Sequence, residues 1–248
     1  MSEVAARPLL RVADLHVRVG GSHILQGVGF EVPQTGVTAI LGRNGVGKTT
    51  TLKALIGLVP RQGVIELDGT DITRWSTART VRSGVGYVPE DREVFAGLTV
   101  EENLRLVGGD TGADAPVVRE LFPDLVARRS QKAGTLSGGQ QQMVALARVL
   151  LRDNRILLID EPTKGLAPKL VTEVADVLAQ VARTVPVLLV EQNLPLVRRI
   201  ADDVVVIDGG SVVHRSTAGA LLADQARTTE LLGVALRQPS SALSGDRP

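Results

Sequence analysis

The sequence predicts an α/β fold: a parallel-sheet core, an antiparallel β segment on its N-terminal side, and a helical lobe inserted midway. Three observations lead there. Apolar runs of strand length at 37–41, 85–88, 156–159, 187–190 and 204–207 are separated by segments of other pattern, several of helical period. This is how strands buried on both faces and linked by crossover helices read. Ahead of them Leu10, Val12, Leu15, Val17 and Val19, then Leu25, Val28, Phe30 and Val32, alternate with other residues as half-buried antiparallel strands do. From Glu90 to Arg152 the apolar spacing turns helical.

Taken in order, the two alternating segments are separated by Gly20-Gly21, a turn signal. Segment 37–41 is a buried strand that runs into a glycine-rich loop, and 48–58 continues as a helix ended by Gly57 and Pro60. Residues 64–67 with the Asp68-Gly69 turn read as a further hairpin edge, and strand 85–88 stops at Pro89. Helices are predicted over 100–107, 117–126 and 137–151 in the lobe, then over 170–182 and 194–201 between the later strands. Asp208-Gly209-Gly210 turns the chain into a closing hairpin at 211–214, and a helix follows near 218–223. No internal repeat is present.

These segments group into one domain over 9–236. Its core occupies about 9–90 and 153–215, a helical subdomain about 91–152, and a C-terminal helical segment 216–236. Residues 237–248, rich in Ser and Pro with few apolar side chains, read as a disordered tail.

Composition narrows the function classes. A net charge of +1 gives no basic surface for nucleic acid, so no nucleic-acid partner is expected. The absence of cysteine removes disulfides, thiolate metal sites and cysteine nucleophiles. Every apolar run falls far short of the roughly 18–20 residues that span a bilayer. Met1 to Leu10 lacks a charged start followed by an apolar stretch, so no secretory signal is expected and any membrane association would come through a partner.

Gly42-Arg43-Asn44-Gly45-Val46-Gly47-Lys48-Thr49 fits the phosphate-binding pattern G-x-x-x-x-G-K-[ST], and Thr50 continues it into the helix. Three glycines let the backbone wrap an anion, and a helix start aims its positive end at the same point. Lys48 adds a full charge for the β- and γ-phosphates, and Thr49 can place its hydroxyl on Mg²⁺. Asp160, at the end of an apolar strand, is a direct or indirect partner of that ion. Glu161 follows it, where a carboxylate can orient and deprotonate an attacking water. A solvated carboxylate at a strand end is the alternative for Glu161, as a plain glycine turn is for the loop.

Between these motifs lies Leu136-Ser137-Gly138-Gly139-Gln140-Gln141-Gln142. Ser137 is a good helix N-cap, Gly138 and Gly139 allow close backbone approach, and Gln140 completes a helix start without bulk. Such a start is an anion site, or else the beginning of a capped surface helix that binds nothing.

In this order the three motifs resemble the ATP-binding cassette (ABC) subunit of a membrane transporter, over roughly residues 9–232. The resemblance implies a P-loop NTPase (RecA-like) core with an N-terminal antiparallel β subdomain and an inserted helical subdomain. It implies ATP as substrate and Mg²⁺ as cofactor. It also implies that two cassettes pair head to tail, each signature of the Ser137–Gln140 type closing over the other's ATP. Two transmembrane permease subunits and, indirectly, an extracytoplasmic solute-binding protein complete such a system, which places the chain on the cytoplasmic face of the membrane.

The strings Tyr87-Val88-Pro89-Glu90-Asp91-Arg92, Leu98-Thr99-Val100-Glu101-Glu102-Asn103-Leu104, Glu161-Pro162-Thr163-Lys164-Gly165-Leu166-Ala167-Pro168 and Val190-Glu191-Gln192-Asn193 resemble the second ATPase of branched-chain amino-acid importers. That ATPase pairs with a different cassette. Importers of urea and short-chain amides, and soluble cassette ATPases, are the alternatives. The soluble kind usually carries two cassettes or long coiled-coil insertions, which this chain lacks. A guanine-reading Asn-Lys-x-Asp is also missing.

Against the general cassette pattern, Glu90 replaces a glutamine, Gln192 a histidine and Ala167 an aspartate. Gln192 can hydrogen-bond a γ-phosphate and water but cannot titrate. Glu90 would add negative charge beside Mg²⁺, balanced by the metal or by Arg92. Val19 stands where an aromatic residue usually stacks on adenine. Phe95, in the segment 90–98, either contacts the membrane subunit or packs inside the lobe.

Overall fold

Strand β1 (Leu10–Val19) pairs antiparallel with β2 (Ser22–Val32) in a computed structural model that describes residues 7–233, without the side chains of 108–111. The apolar step of three from Val12 to Leu15 breaks strict alternation, and the ladder shifts register there, with Asp14 at positive φ. Strand β3 (Val37–Leu41) is buried throughout and leads through the glycine loop into α1 (Lys48–Ile56). Strands β4 (Gln62–Leu67) and β5 (Thr70–Asp71) complete a four-stranded antiparallel sheet in the order β2-β1-β4-β5. Helix α2 (Thr77–Arg82), capped by Ser76, then precedes β6 (Val85–Val88). Two turns of helix are too short to stand out in an apolar pattern, and α2 is absent from the sequence reading.

The helical lobe contains α3 (Val100–Gly108), α4 (Pro116–Leu121), α5 (Pro123–Ala127) and α6 (Gly138–Leu150). The single helix expected over 117–126 is two helices. Pro123 lacks an N–H and its ring excludes a preceding helical turn, so Phe122 leaves helical geometry (φ −134°, ψ 53°) and the chain restarts with proline in the first turn.

Strand β7 (Ile156–Asp160), α7 (Pro168–Val181), β8 (Val187–Val190), α8 (Leu194–Ile200), β9 (Asp203–Asp208) and β10 (Ser211–Thr217) follow. The described chain closes with α9 (Ala218–Ala223) and α10 (Gln225–Leu232). The expected tail at 237–248, and the last residues of the segment 216–236, lie outside the described residues.

The second sheet has six strands in the order β10-β9-β3-β8-β7-β6, parallel except for the closing β9-β10 hairpin. Its two-residue period sorts side chains between cores. Leu157 and Ile159 of β7, with Val187 and Leu189 of β8, join the core shared with the helical lobe and α7. Ile156 and Leu158, with Leu188 and Val190, join the core under the antiparallel sheet and α1. The carboxyl ends of β3, β6, β7 and β8 open on one edge of the sheet, the crevice where open α/β sheets bind ligands.

Candidate nucleotide site

The loop from Gly42 to Gly47 leaves β3 with φ of 149° at Gly42, 80° at Gly45 and 107° at Gly47. A side chain at Gly42 would put its Cβ 2.2 Å from the carbonyl oxygen of Ile207, so the loop can approach β9 only with hydrogen there. Helix α1 begins with no capping side chain and no acidic residue in its first turn. Its first N–H groups therefore lack the usual internal acceptor, which is what an anion-binding helix start requires. Lys48 is buried, and its Nζ donates to the carbonyls of Gly42 (2.9 Å) and Arg43 (2.8 Å), bracing the loop. Burial lowers its pKa, opposed by the nearby Glu161, Asp160, Glu191 and Glu90.

A cavity of about 630 Å³ lies over this loop. Asn44, Gly45, Gly47, Lys48, Thr49, Thr50, Glu90, Glu161 and Gln192 line it, together with Ile24, Thr163, Lys164, Glu191 and Asn193. Gly42 and Arg43 are behind the lining, tied to Lys48 through their carbonyls, and Val46 packs on the core under the antiparallel sheet.

Asp160 is fully buried beneath the cavity floor. Its Oδ1 accepts from the Thr49 hydroxyl at 3.0 Å, while Oδ2 has no hydrogen-bond partner. Burial raises its pKa to about 6, offset in part by the Thr49 hydrogen bond and reinforced by Glu161 and Glu90. A buried carboxylate oxygen without a partner, beside a threonine hydroxyl, is the hard-oxygen donor set that suits Mg²⁺.

Glu161 sits at φ 43°, a conformation that costs a non-glycine residue energy and places its carboxylate at the cavity wall. Its N–H is held by the carbonyl of Val190 at 2.9 Å, and Gln192 Nε2 donates to its Oε1. Lys164 Nζ lies 3.8 Å from the other carboxylate oxygen and donates to Glu90. Glu90 is thus balanced by Lys164. Arg92, the partner expected for it, has its guanidinium beside Gly138 instead.

Ser137 caps α6 in a reciprocal box: its hydroxyl accepts from the Gln140 N–H (3.3 Å) and Gln140 Oε1 accepts from the Ser137 N–H (3.0 Å). The two glycines have neighbours within this chain as well. A Cβ at Gly139 would strike Leu170 of α7 at 2.1 Å, so at Gly139 the missing side chain first of all admits α7. Ser137 and Gln140 do not line the loop cavity, and neither does Val19, half exposed at the hairpin tip. From that hairpin it is Ile24 that reaches the cavity. Phe95 is also half exposed, with the Arg148 guanidinium 5.1 Å from its ring centre, so it is not packed inside the lobe.

Sequence reasoning assigned no role to Lys164, Thr163 or Glu191. A signal existed for the last: strand 187–190 ends in a carboxylate just as strand 156–159 does.

A family model described as ABC transporter matches residues 25–164. The chain is 39% identical, over 82% of its length and 90% of the relative's, to the high-affinity branched-chain amino acid transport ATP-binding protein BraG of Pseudomonas aeruginosa. It is 36% identical, over 86% of its length and 94% of the relative's, to the probable branched-chain amino acid transport ATP-binding protein LivF of Archaeoglobus fulgidus. Similarity to BraF of the same Pseudomonas strain is 33% over 86% and 92%. Among solved structures, a nucleotide-free ATP-binding cassette from an ABC transporter superposes with a TM-score of 0.77 at 25% identity, covering 90% of this chain and 98% of that one.

Proposed function

Because the chain belongs to the ABC transporter family of ATP-binding cassettes, we propose that it is the ATP-hydrolysing subunit of an importer that takes up branched-chain or other hydrophobic amino acids. The observation that carries the catalytic half is the Glu161–Gln192 pair on the wall of a cavity closed below by the Lys48 loop. The relatives named for branched-chain amino acid transport support the solute class over urea or short-chain amides and over a soluble role. Greater likeness to BraG than to BraF, two such proteins in one organism, supports pairing with a second, different cassette.

In this reading the glycine loop and Lys48 bind the β- and γ-phosphates. Thr49 and the free Oδ2 of Asp160 would hold Mg²⁺, with Glu90 nearby. When bound, the ion supplies positive charge to the phosphate oxygens. Glu161 takes the proton of the attacking water, and Gln192 fixes the orientation of that carboxylate. Ser137, Gly138, Gly139 and Gln140, which do not line this cavity, close over the nucleotide of the partner cassette. Nucleotide affinity for the paired state biases two permease subunits between access states, and hydrolysis releases it. No described helix is long and apolar enough to cross a membrane. The likeness to transporter ATP-binding proteins supports a place on the cytoplasmic face through the permease, with a solute-binding protein acting from the far side.

Glu161→Gln should abolish turnover while leaving ATP binding intact; unchanged hydrolysis would remove Glu161 as the base. Since Gln192 cannot carry charge, the two sites of a mixed pair are expected to be chemically unequal. Single-turnover hydrolysis by the assembled complex with Glu161→Gln in this chain alone tests that, and equal loss at both sites would refute it. Failure to copurify with a hydrophobic permease would count against the transporter assignment.

A further inference from the structure

Glu191 is a buried carboxylate placed between the two loops that carry the reacting groups, and it uses both oxygens to join them. Its Oε1 accepts from the Thr163 N–H (3.2 Å) and from the Thr163 hydroxyl. Its Oε2 accepts from the N–H groups of Gln192 (2.8 Å) and Asn193 (2.9 Å). Thr163 belongs to the loop that follows β7 and Glu161, while Gln192 and Asn193 open the loop that follows β8. A carboxylate taken out of water is tolerated only when its lone pairs are filled, and here four donors from two loops fill them. Asn193 carries the contact onward, because its side chain caps α8 by accepting from the Leu196 N–H at 3.1 Å.

From this geometry we infer that Glu191 is a positioning residue: it clamps the two loops into one body and thereby holds the Glu161–Gln192 hydrogen bond. The inference rests on the reading of Glu161 as the base. It goes beyond that reading in naming what fixes the pair. Glu161 occupies a strained left-handed conformation, and its side-chain partner is exposed Gln192. The Glu161 backbone is held by the Val190 carbonyl at 2.9 Å, but the loop that follows it and the exposed Gln192 need a tie between them. The clamp supplies one through Thr163, two residues after Glu161, and through the backbone of Gln192 itself. A displacement of about 1 Å at a catalytic group costs on the order of a hundredfold in rate, so a clamp of this kind governs turnover more than nucleotide binding. The phosphate-binding backbone belongs to the Lys48 loop, which none of the four clamp hydrogen bonds touches.

The test uses the full-length chain with Glu191→Gln and Thr163→Val, measuring kcat, KM, Mg-ATP affinity and amide hydrogen exchange. Glu191→Gln keeps the shape but turns an amide group toward two donors. It should lower kcat on the order of 10–100-fold with KM and affinity within about twofold. Thr163→Val removes only the hydroxyl bond and should cost roughly 3–10-fold. Because both act through one clamp, the double variant should be little worse than Glu191→Gln alone. In both variants amides of 163, 192 and 193 should exchange faster while the Lys48 loop does not. Unchanged kcat with those amides exposed, or acceleration confined to one of the two loops, overturns the inference. A parallel fall in affinity and thermal stability would also overturn it, since that marks a fold-wide role. Equal turnover by wild type and Glu161→Gln defeats the reading of Glu161 and the catalytic part of this inference together. That failure is separable, because the exchange rates report the clamp without reference to hydrolysis.

Discussion

Replacing Asp160 with asparagine should stabilise the nucleotide-free protein and disable it at once. The wild-type carboxyl is fully buried, one oxygen lacks a partner, and its pKa rises from 3.8 to about 6. That difference corresponds to about 3 kcal/mol of penalty for the ionised form at neutral pH. Asparagine retains an oxygen for the Thr49 hydroxyl but places an unsatisfied amide, costing about 1–3 kcal/mol, where Oδ2 was, so the net gain is about 0–2 kcal/mol. For a chain of this size this is up to roughly 8 °C in Tm. The sign follows from proton binding. The folded pKa lies above the unfolded one, so the penalty is absent below pH 3.8, grows as pH rises toward 6, and is complete above it. Thermal melts of both proteins in chelator from pH 4 to 8 should converge at the acid end and separate toward neutrality. With Mg-ATP the order should reverse, since only the wild type gains from ligand binding. A pH-independent difference, or an asparagine variant less stable than wild type at pH 8 in chelator, would refute the reasoning.

Gly42→Ala forces a Cβ to 2.2 Å from the Ile207 carbonyl at a φ of 149°; nucleotide binding should be lost with about 3 kcal/mol of stability, read by calorimetry and denaturant unfolding. Asn103 is buried, accepts from the Phe95 N–H and donates to the carbonyls of Phe95 and Thr99. Asn103→Leu should therefore cost about 2–4 kcal/mol in urea unfolding, and hydrogen exchange should locate the loosening at 95–99. Val19→Tyr puts a stacking face at the hairpin tip and should raise kcat/KM for ATP and other nucleoside triphosphates alike, by on the order of tenfold. Equal efficiency of the two proteins for ATP would count against an adenine contact there.

Much of the site was legible because its chemistry is written in contiguous residues. The loop 42–49 specifies its own conformation through glycines followed by a helix start, whatever surrounds it. Asp160 and Glu161 could be placed because an apolar strand ending in carboxylates must deliver them to the sheet edge. Where the sequence misled, the missing information was a neighbour. Arg92 stands two residues from Glu90, yet Lys164 from another loop is its partner. At Gly139 the motif did not show that the missing side chain also admits Leu170 of α7.

By itself, then, the sequence determined the α/β class, the phosphate loop and the family, because periodicity and short motifs are properties of local backbone and of adjacent side chains. Only the tertiary structure decided that Ile24 rather than Val19 lines the cavity, that Asp160 keeps a free oxygen, and that Glu191 ties Thr163 to Gln192. For the Glu191 contact the reason is the pairing of β7 with β8. Residues some 30 positions apart become neighbours only when parallel strands lie side by side, and no spacing along the chain encodes which carboxylate will be left between them.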